Sequence, residues 1–136
     1  MDEDFCGLDV NTPLGGDLPI TQTPALTFDT LLTAVTATAI GDSTVAFLGT
    51  NHGHLKKVAV ESARHGAENA DIPLAPGSSV LSDLVLDLKH EHVYAMTDKK
   101  VSKVRLQNCE EYTDCSHCTG AKDPYCGWCR YENKCR

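Results

Sequence analysis

The chain contains 136 residues, of which 41% are hydrophobic and 23% are charged, and its net charge at neutral pH is −7. This length fits one ordinary domain, and the negative charge argues against nucleic acid as a partner, because nucleic-acid binding requires basic surfaces. No apolar run approaches the roughly 20 residues that a membrane-spanning helix needs. The chain begins Met1-Asp2-Glu3-Asp4, which is acidic rather than basic and apolar, so we expect no signal peptide within it.

The first hundred residues predict a series of short β-strands in which apolar and polar side chains alternate. The predicted strands cover residues 31–40, 43–49, 55–60, 83–88, 93–97 and 101–106. Residues 61–79 are interpreted as a polar loop with at most one edge strand, around residues 72–74, because Pro73 cannot donate a hydrogen bond at the centre of a sheet. We expect the pairs Lys56-Lys57 and Lys99-Lys100 to be exposed charges that keep sheet edges soluble.

Two stretches of this strand-rich region resemble each other. When residues 44–60 are aligned with residues 92–106, Thr50 matches Thr97 and Leu55 matches Val101, which gives a repeat of 46 or 47 residues. A repeat of about 40–50 residues with several short strands is typical of β-propeller blades. Since a propeller needs about four blades or more to close, the two copies predict a piece of a longer protein.

Six of the seven cysteines lie within the last 28 residues, at positions 109, 115, 118, 126, 129 and 135. Such a density, in a stretch with almost no aliphatic side chains, predicts a small domain that is held together by disulfides rather than by a hydrophobic core. Trp128 is the only tryptophan of the chain, and we expect it to be buried among these disulfides. The spacing alone allows many pairings, and the odd number of cysteines means that at least one lacks a partner within the chain.

Two other chemistries fit parts of the cysteine pattern. Cys115-x2-Cys118 and Cys126-x2-Cys129 could present four thiolates to zinc, but the gap between the two pairs is shorter than in zinc ribbons. Cys126 and Cys129 also match the C-x-x-C of thiol oxidoreductases, which need a βαβ scaffold that this sequence does not predict. The six histidines are interpreted as solvated turn residues. No Ser/His/Asp, paired-carboxylate or phosphate-loop pattern occurs, so we predict no enzyme and no catalytic, cofactor-binding or metal-binding residues.

The residues around the cysteines resemble the PSI module, the cysteine-rich knot of plexins, semaphorins and integrins. This resemblance is carried by Asp114-Cys115-x2-Cys118 and by Asp123-Pro124-Tyr125-Cys126-Gly127-Trp128-Cys129. The upstream strings that resemble the end of a plexin sema domain are Asp4-Phe5-Cys6-Gly7, Pro13-Leu14-Gly15-Gly16, Leu32-Thr33-Ala34-Val35, Val45-Ala46-Phe47-Leu48-Gly49-Thr50 and Val93-Tyr94-Ala95-Met96-Thr97. The chain therefore resembles the plexin family over nearly its whole length, and its Leu-Thr-Ala-Val and Ala-Phe-Leu-Gly-Thr strings favour the B type.

The resemblance implies an all-β fold, in which the last two blades of a seven-bladed sema β-propeller are followed by a truncated, small, disulfide-rich PSI knot. The propeller part would cover residues 1–107 and the PSI part residues 108–136, with a short helix around residues 115–118. The implied disulfides are Cys109–Cys126 and Cys118–Cys135. The implied structural core of the knot is Trp128, Tyr125 and Pro124. The cysteines whose implied partners lie outside the chain are Cys6, Cys115 and Cys129.

The resemblance also implies a function for the chain. It would be an extracellular segment of a plexin-like, single-pass cell-surface receptor for semaphorins, which acts in axon guidance and cell migration. Its place would be the extracellular face of the plasma membrane, with the signal peptide and the membrane span outside this chain. The semaphorin would bind mainly through blades that are not present here. This piece would support the propeller and, with the PSI module against the last blade, set its junction with the stalk.

The implied partners are thus a semaphorin and the rest of the receptor ectodomain, with no nucleic acid, no small-molecule substrate and no cofactor. A semaphorin or a receptor tyrosine kinase with the same sema-PSI architecture is the main alternative. The strings at residues 6–7 and 13–16 favour a plexin over both. A small metal-binding or redox protein is the remote alternative.

Overall fold

The computed structural model describes Leu18 and residues 20–136. Two antiparallel sheets form the larger part, and the cysteine-rich stretch follows them. The strings at residues 4–7 and 13–16, and Cys6 with them, lie outside the described residues. Within the described part, no helix is long and apolar enough to cross a membrane.

The first sheet contains four antiparallel strands in the order β1-β2-β3-β4. They are β1 (Leu32–Ile40), β2 (Ser43–Thr50), β3 (His54–Ser62) and β4 (His65–Pro73). β1 and β2 are rich in the β-branched residues Val, Ile and Thr, which pack well on a pleated surface. Gly41 and Gly53 lie in the first two turns with φ values of 56° and 81°, a left-handed conformation that glycine adopts without steric cost. Consecutive strands therefore pair as tight hairpins.

The fourth strand is longer than the sequence predicted. β4 covers nine residues, whereas only residues 72–74 of the expected polar loop were interpreted as a strand. β4 is the outer strand of the sheet and pairs with β3 alone among the described residues, so it needs no continuous apolar face. Its side chains consequently show little alternation, and the prediction of a loop there was wrong. Pro73 is the last residue of β4, as its edge position requires.

A β-bulge interrupts the pairing of β3 with β4. Lys57 pairs with Ala70 and Val58 pairs with Glu68, so Asn69 is an extra residue on β4. A bulge of this kind bends the strand and redirects side chains. Both Lys57 and Asn69 contact the cysteine-rich stretch from this position.

The second sheet contains three antiparallel strands, β5 (Leu84–Leu86), β6 (His92–Met96) and β7 (Val101–Arg105). β5 and β7 lie within strands that the sequence predicted, and β6 begins one residue before the predicted strand 93–97. Among the residues that the structure describes, no strand pairs with the outer edge of β7. The repeat in the sequence corresponds to β2 and β3 in the first sheet and to β6 and β7 in the second. Thr50 and Thr97, which match each other in the repeat, are both buried.

The two sheets share one hydrophobic core. Its buried side chains are Ala34, Val45, Phe47, Leu55, Val80, Leu84, Val93, Ala95 and Leu106. Gly49 permits a close approach, because a methyl group on it would lie 2.5 Å from Val80 Cγ1. The buried Thr50 hydroxyl accepts hydrogen bonds from the backbone N–H groups of His52 and His54, so the turn after β2 leaves this oxygen satisfied.

Residues 108–136 form a small unit that we call the cysteine-rich module. It contains a 3₁₀ helix (Cys109–Glu111), α1 (Cys115–Gly120), β8 (Trp128–Cys129) and β9 (Lys134–Cys135). The side chain of Asp114 caps α1 by accepting a hydrogen bond from the backbone N–H of His117 at 2.8 Å. The prediction of an all-β fold with a small disulfide-rich part is confirmed, and α1 lies where a short helix was expected.

We expect the substitution Leu55→Ala to destabilise the chain by about 2–5 kcal/mol, because the fully buried side chain would leave a cavity between the sheets. The matched control is Val35→Ala on the neighbouring part of the sheet, where the side chain is 66% exposed. For this control we expect a change below about 1 kcal/mol. Urea denaturation measures both free energies, and equal losses would contradict the position of the core.

Candidate functional site at the junction of the first sheet and the cysteine-rich module

The cysteine-rich module lies against β3 and β4 of the first sheet. Lys57 on β3 and Asn69 on β4 bind residues 121–123, which follow α1. Together with Tyr125, these contacts form what we call the junction. The resemblance implied that the module packs on the last blade, whereas these polar contacts are made with the preceding, four-stranded sheet. The connection between β7 and the module is short, so the module lies beside the edge of β7. In this position it contacts the polar side chains of β3 and β4.

Lys57 is the charged centre of the junction. Its Nζ lies 2.5 Å from Asp123 Oδ2, and the two side chains are only 4% and 8% exposed. The ammonium group also lies 4.7 Å from the centre of the Tyr125 ring, within the range of a cation–π interaction. Burial lowers the pKa of Lys57 below its usual range, and the hydrogen bond and charge of Asp123 offset part of this effect.

The expectation that Lys57 is an exposed edge charge was wrong. β3 is an inner strand of the sheet, and Lys57 lies on the same face as the buried Leu55 and Ala59. The alternation of these three residues along the strand was visible in the sequence and indicated that Lys57 faces the same side as the two apolar residues. Lys56 points to the other face, where its Nζ binds Glu68 and Asp71 at 2.8 and 3.1 Å. Its side chain is 13% exposed, so it is not a freely exposed charge either. Lys99 and Lys100 are exposed, as expected.

Asp123 is held in place from within the module. Its Oδ1 accepts a hydrogen bond from the backbone N–H of Tyr125 at 3.0 Å, while Oδ2 receives Lys57. Each carboxylate oxygen therefore has a partner, which a buried charge requires. The hydrogen bond within its own segment thus orients the carboxylate toward Lys57.

Asn69 supplies the second polar contact of the junction. Its side-chain amide donates to the carbonyl oxygens of Ala121 and Lys122 at 3.0 and 3.1 Å. These carbonyls follow the end of α1, where a helix leaves acceptors without partners. Lys122 has a φ of 51°, a left-handed conformation that turns the chain sharply after the helix.

Tyr125 connects the two hydrophobic parts of the molecule. Its ring packs against the core between the sheets and also against the cluster of buried cysteines. Burial, and secondarily the charge of Asp123, raises the pKa of its hydroxyl above the usual range. The ring therefore acts as apolar surface that both units share.

The most buried side chains of the module are cysteines that form disulfides. Cys109, Cys118 and Cys135 are each 1% exposed, and they belong to the disulfides Cys109–Cys126 and Cys118–Cys135. Trp128 packs against this cluster and is partly buried, beside the disulfides. Pro124 is half-buried as well, at the side that faces the first sheet.

Each C-x-x-C pair contributes one cysteine to a disulfide and one free thiol. Cys115 is exposed and Cys129 is half-buried, and neither is paired within the part of the chain that the structure describes. Four thiolates for a zinc ion are therefore not available, because Cys118 and Cys126 are already oxidised.

A cavity of about 470 Å³ opens beside the junction. It lies between β3, β4 and the edge strand β7, and the module forms its remaining wall. Its charged and polar lining includes Lys57, Asn69, Lys103, Arg105, Gln107, Asn108, Glu111 and Asp123. Both signs of charge are present, so the cavity has no single preference for an anion or a cation.

Several histidines pair with carboxylates instead of standing free in turns. The Nδ1 atoms of His54 and His92 lie 2.8 and 3.2 Å from Asp71 and Asp87. Among the described residues, Asp87, Glu91 and His92 form the one group whose donor atoms are close enough to hold a metal ion. Asp87 Oδ1, however, accepts the backbone N–H groups of Glu91 and His92, so this carboxylate closes a turn.

We expect Lys57→Met to destabilise the chain by about 3–5 kcal/mol, because it leaves the carboxylate of Asp123 buried without a counter-charge. The matched control is Lys56→Met, which breaks ion pairs with the more exposed Glu68 and Asp71. We expect that control to cost less than about 1 kcal/mol. Urea denaturation distinguishes the two, and a Lys57 variant as stable as the Lys56 variant would show that the junction pair is not desolvated.

A second prediction concerns the stability of the chain at acidic pH. The backbone N–H of His117, and then its ring, lower the pKa of Asp114 below the usual 3.8. Because the folded pKa lies below the unfolded one, this group stabilises the chain above pH 3.8, and the gain is lost as the pH falls through the folded pKa. Asp114→Asn keeps a capping oxygen that cannot titrate, so we expect a flatter acid dependence of stability. Thermal unfolding at a series of acidic pH values measures it, and an unchanged dependence would refute the role of the cap charge.

Family models match both parts of the chain. A Sema domain model matches residues 1–97, and the model of the PSI module, described as a Plexin repeat, matches residues 108–136. Plexin A3 of Danio rerio is 39% identical over 138 aligned residues, which cover 98% of this chain and 7% of that protein. The chain therefore spans a small fraction of the length of the curated relatives it matches.

Solved structures agree with these matches. The full extracellular region of Plexin A4 superposes with a TM-score of 0.77 at 33% identity, covering 98% of this chain and 14% of that one. One chain of the solved complex of Drosophila Plexin A with Semaphorin 1b superposes with a TM-score of 0.68 at 20% identity, covering 80% of this chain and 24% of that one, and thus shares the fold. The matched Plexin A3 and Plexin A4 are both of the A type, so the B-type preference finds no support in them. The chain belongs to the Sema domain family, as a plexin in which a Plexin repeat follows the Sema segment.

Proposed function

We propose that the chain is an extracellular segment of a plexin-type receptor for semaphorins, and that it supports the ligand-binding propeller and joins it to the stalk. The junction is the observation that carries this proposal. The side chains that link the module to the first sheet, Lys57, Asn69 and Asp123, bind one another and leave little chemistry for a small ligand. Such contacts suit a rigid connection between two units. We infer no enzymatic activity and no cofactor for this segment.

We propose that the chain divides into a propeller part at residues 1–107 and a PSI part at residues 108–136. The shared hydrophobic core of the two sheets supports the first boundary, since it ends at Leu106. The second unit begins at the 3₁₀ helix with Cys109, and both disulfides lie within it. Trp128, Tyr125 and Pro124 would form the structural core around these bridges.

We propose that Cys6, Cys115 and Cys129 pair with cysteines outside this chain. Cys115 is exposed at the start of α1 and Cys129 is half-buried on β8, so both can be reached by a neighbouring segment. In an oxidising compartment such thiols form disulfides with any suitable partner. The extracellular face of the plasma membrane is such a compartment, and we place the receptor there as a single-pass protein in axon-guidance and cell-migration signalling.

We propose a semaphorin as the protein partner, bound mainly through blades outside this chain, and the rest of the ectodomain as the partner of this segment. The complex of Drosophila Plexin A with Semaphorin 1b supports this kind of ligand. A semaphorin or a receptor tyrosine kinase of the same architecture is the alternative. The Plexin repeat, together with the 39% identity of nearly the whole chain to a Plexin A3, favours the plexin-type receptor.

A chimeric receptor tests this function. When the chain replaces the matching segment of zebrafish Plexin A3, we expect the receptor to reach the cell surface and to bind a soluble semaphorin as the unmodified receptor does. Lys57→Glu in the chimera should reduce surface delivery several-fold, because it places two buried carboxylates together. The matched control, Lys56→Glu, should be delivered nearly normally. Normal delivery of the chimera without any semaphorin binding would refute the supporting role.

A further inference from the structure

We infer that Lys57 determines the orientation of the cysteine-rich module on the first sheet, an inference that rests on the proposed role of the chain as a connection to the stalk. The module is attached to the sheets in three ways. The chain itself connects them through residues 106–108, Asn69 binds two carbonyl oxygens, and Lys57 binds Asp123.

The first two attachments leave one rotation free. Asn69 binds the carbonyls of the adjacent residues Ala121 and Lys122, so its two hydrogen bonds act at nearly one point. The covalent connection is a second point, and a body held at two points can still turn about the line that joins them. The packing of Tyr125 resists separation, but apolar contacts have little directional preference. A third, directional contact is needed, and the Lys57–Asp123 pair supplies it.

The Lys57–Asp123 pair can fix the orientation of the module because any other orientation would raise the free energy of the folded state. Asp123 Oδ1 is fixed by the backbone N–H of Tyr125, so the carboxylate cannot follow Lys57 unless the whole segment moves. Both side chains are almost fully buried, and a rotated module would leave two desolvated charges unpaired. A buried ion pair often adds little net stability compared with apolar side chains of similar size, so its main effect here is on orientation.

The β-bulge explains how this sheet presents both polar contacts. Lys57 is paired with Ala70, and in a regular strand the next residue along, Asn69, would face away from it. The extra residue removes this alternation locally, and both side chains reach the module. Lys56, one residue earlier, keeps its contacts within the sheet and provides a matched control.

Residual dipolar couplings of backbone amides test the inference directly, because they report the orientation of each unit in a common frame. The chain carries Cys6→Ser, Cys115→Ser and Cys129→Ser to prevent disulfides between molecules. We expect one alignment tensor to fit both sheets and the module in this reference. The test variant adds Lys57→Met and Asp123→Leu together, so that no charge remains buried alone.

In the test variant we expect both units to stay folded, with a Tm within about 4 °C of the reference. The alignment magnitude of the module should drop about twofold relative to the sheets, because motion about the lost contact averages the couplings. A second variant, Asp123→Asn, keeps the shape of the side chain, removes its charge and replaces one of its two acceptor oxygens by an amide NH2 group. It should also lower the alignment magnitude of the module. Lys56→Met should leave a single tensor for the whole chain.

A single tensor in the double variant would overturn the inference, since Asn69 and packing would then suffice. Unfolding of both the double variant and Asp123→Asn would overturn it as well, because the pair would then be needed for stability. Loss of the single tensor in Lys56→Met would overturn the inference too, because the effect would then not be specific to Lys57. None of these outcomes bears on the receptor proposal, which semaphorin binding by the chimera tests separately.

Discussion

The buried contact between Lys57 and Asp123 joins two units that are stabilised in different ways. The sheets bury a common apolar core, whereas the module contains no Val, Leu, Ile, Met or Phe and cannot attach itself by a large hydrophobic surface. The module is therefore attached mainly by polar contacts at the junction. Burial makes the geometry of these contacts important, because a desolvated charge without a partner raises the free energy of the folded state. The bulge at Asn69 places a second polar side chain beside the first. The relative position of sheet and module thus depends on a few directional contacts.

The module is built around covalent bonds because its composition offers little else. Each disulfide closes a separation of 17 residues, and loops of this size contribute roughly 3 kcal/mol through the lower entropy of the unfolded chain. The buried sulfurs take the place of aliphatic side chains, and the aromatic rings of Tyr112, Tyr125 and Trp128 cover them. Tyr125 extends this cluster to the core of the sheets, so the junction has an apolar contact beside its charged one.

The sheets carry exposed apolar residues on the faces that turn away from the shared core. Val35, Val85 and Val101 are 66%, 57% and 69% exposed. Apolar side chains in such positions suit contact with further protein surface, in keeping with the proposed place of the chain in a larger propeller. The core side of each sheet is tightly packed in contrast, and the missing side chain of Gly49 leaves room there for Val80 and Ala34.

The sequence by itself determined what depends on local periodicity. Alternating side chains predicted every strand of the two sheets except β4, and the density of cysteines predicted a disulfide-held module. The sequence pattern did not predict β4 because an edge strand has one partner and needs no alternation of apolar side chains. Lys57 was misjudged because a lysine is usually exposed, although Leu55 and Ala59 on either side of it showed an inward face. The cysteine pairs were implied by the family resemblance and by no local pattern, and only the tertiary structure decided that Lys57 meets Asp123. These contacts join residues far apart in the chain, and their energies depend on burial that no local pattern encodes.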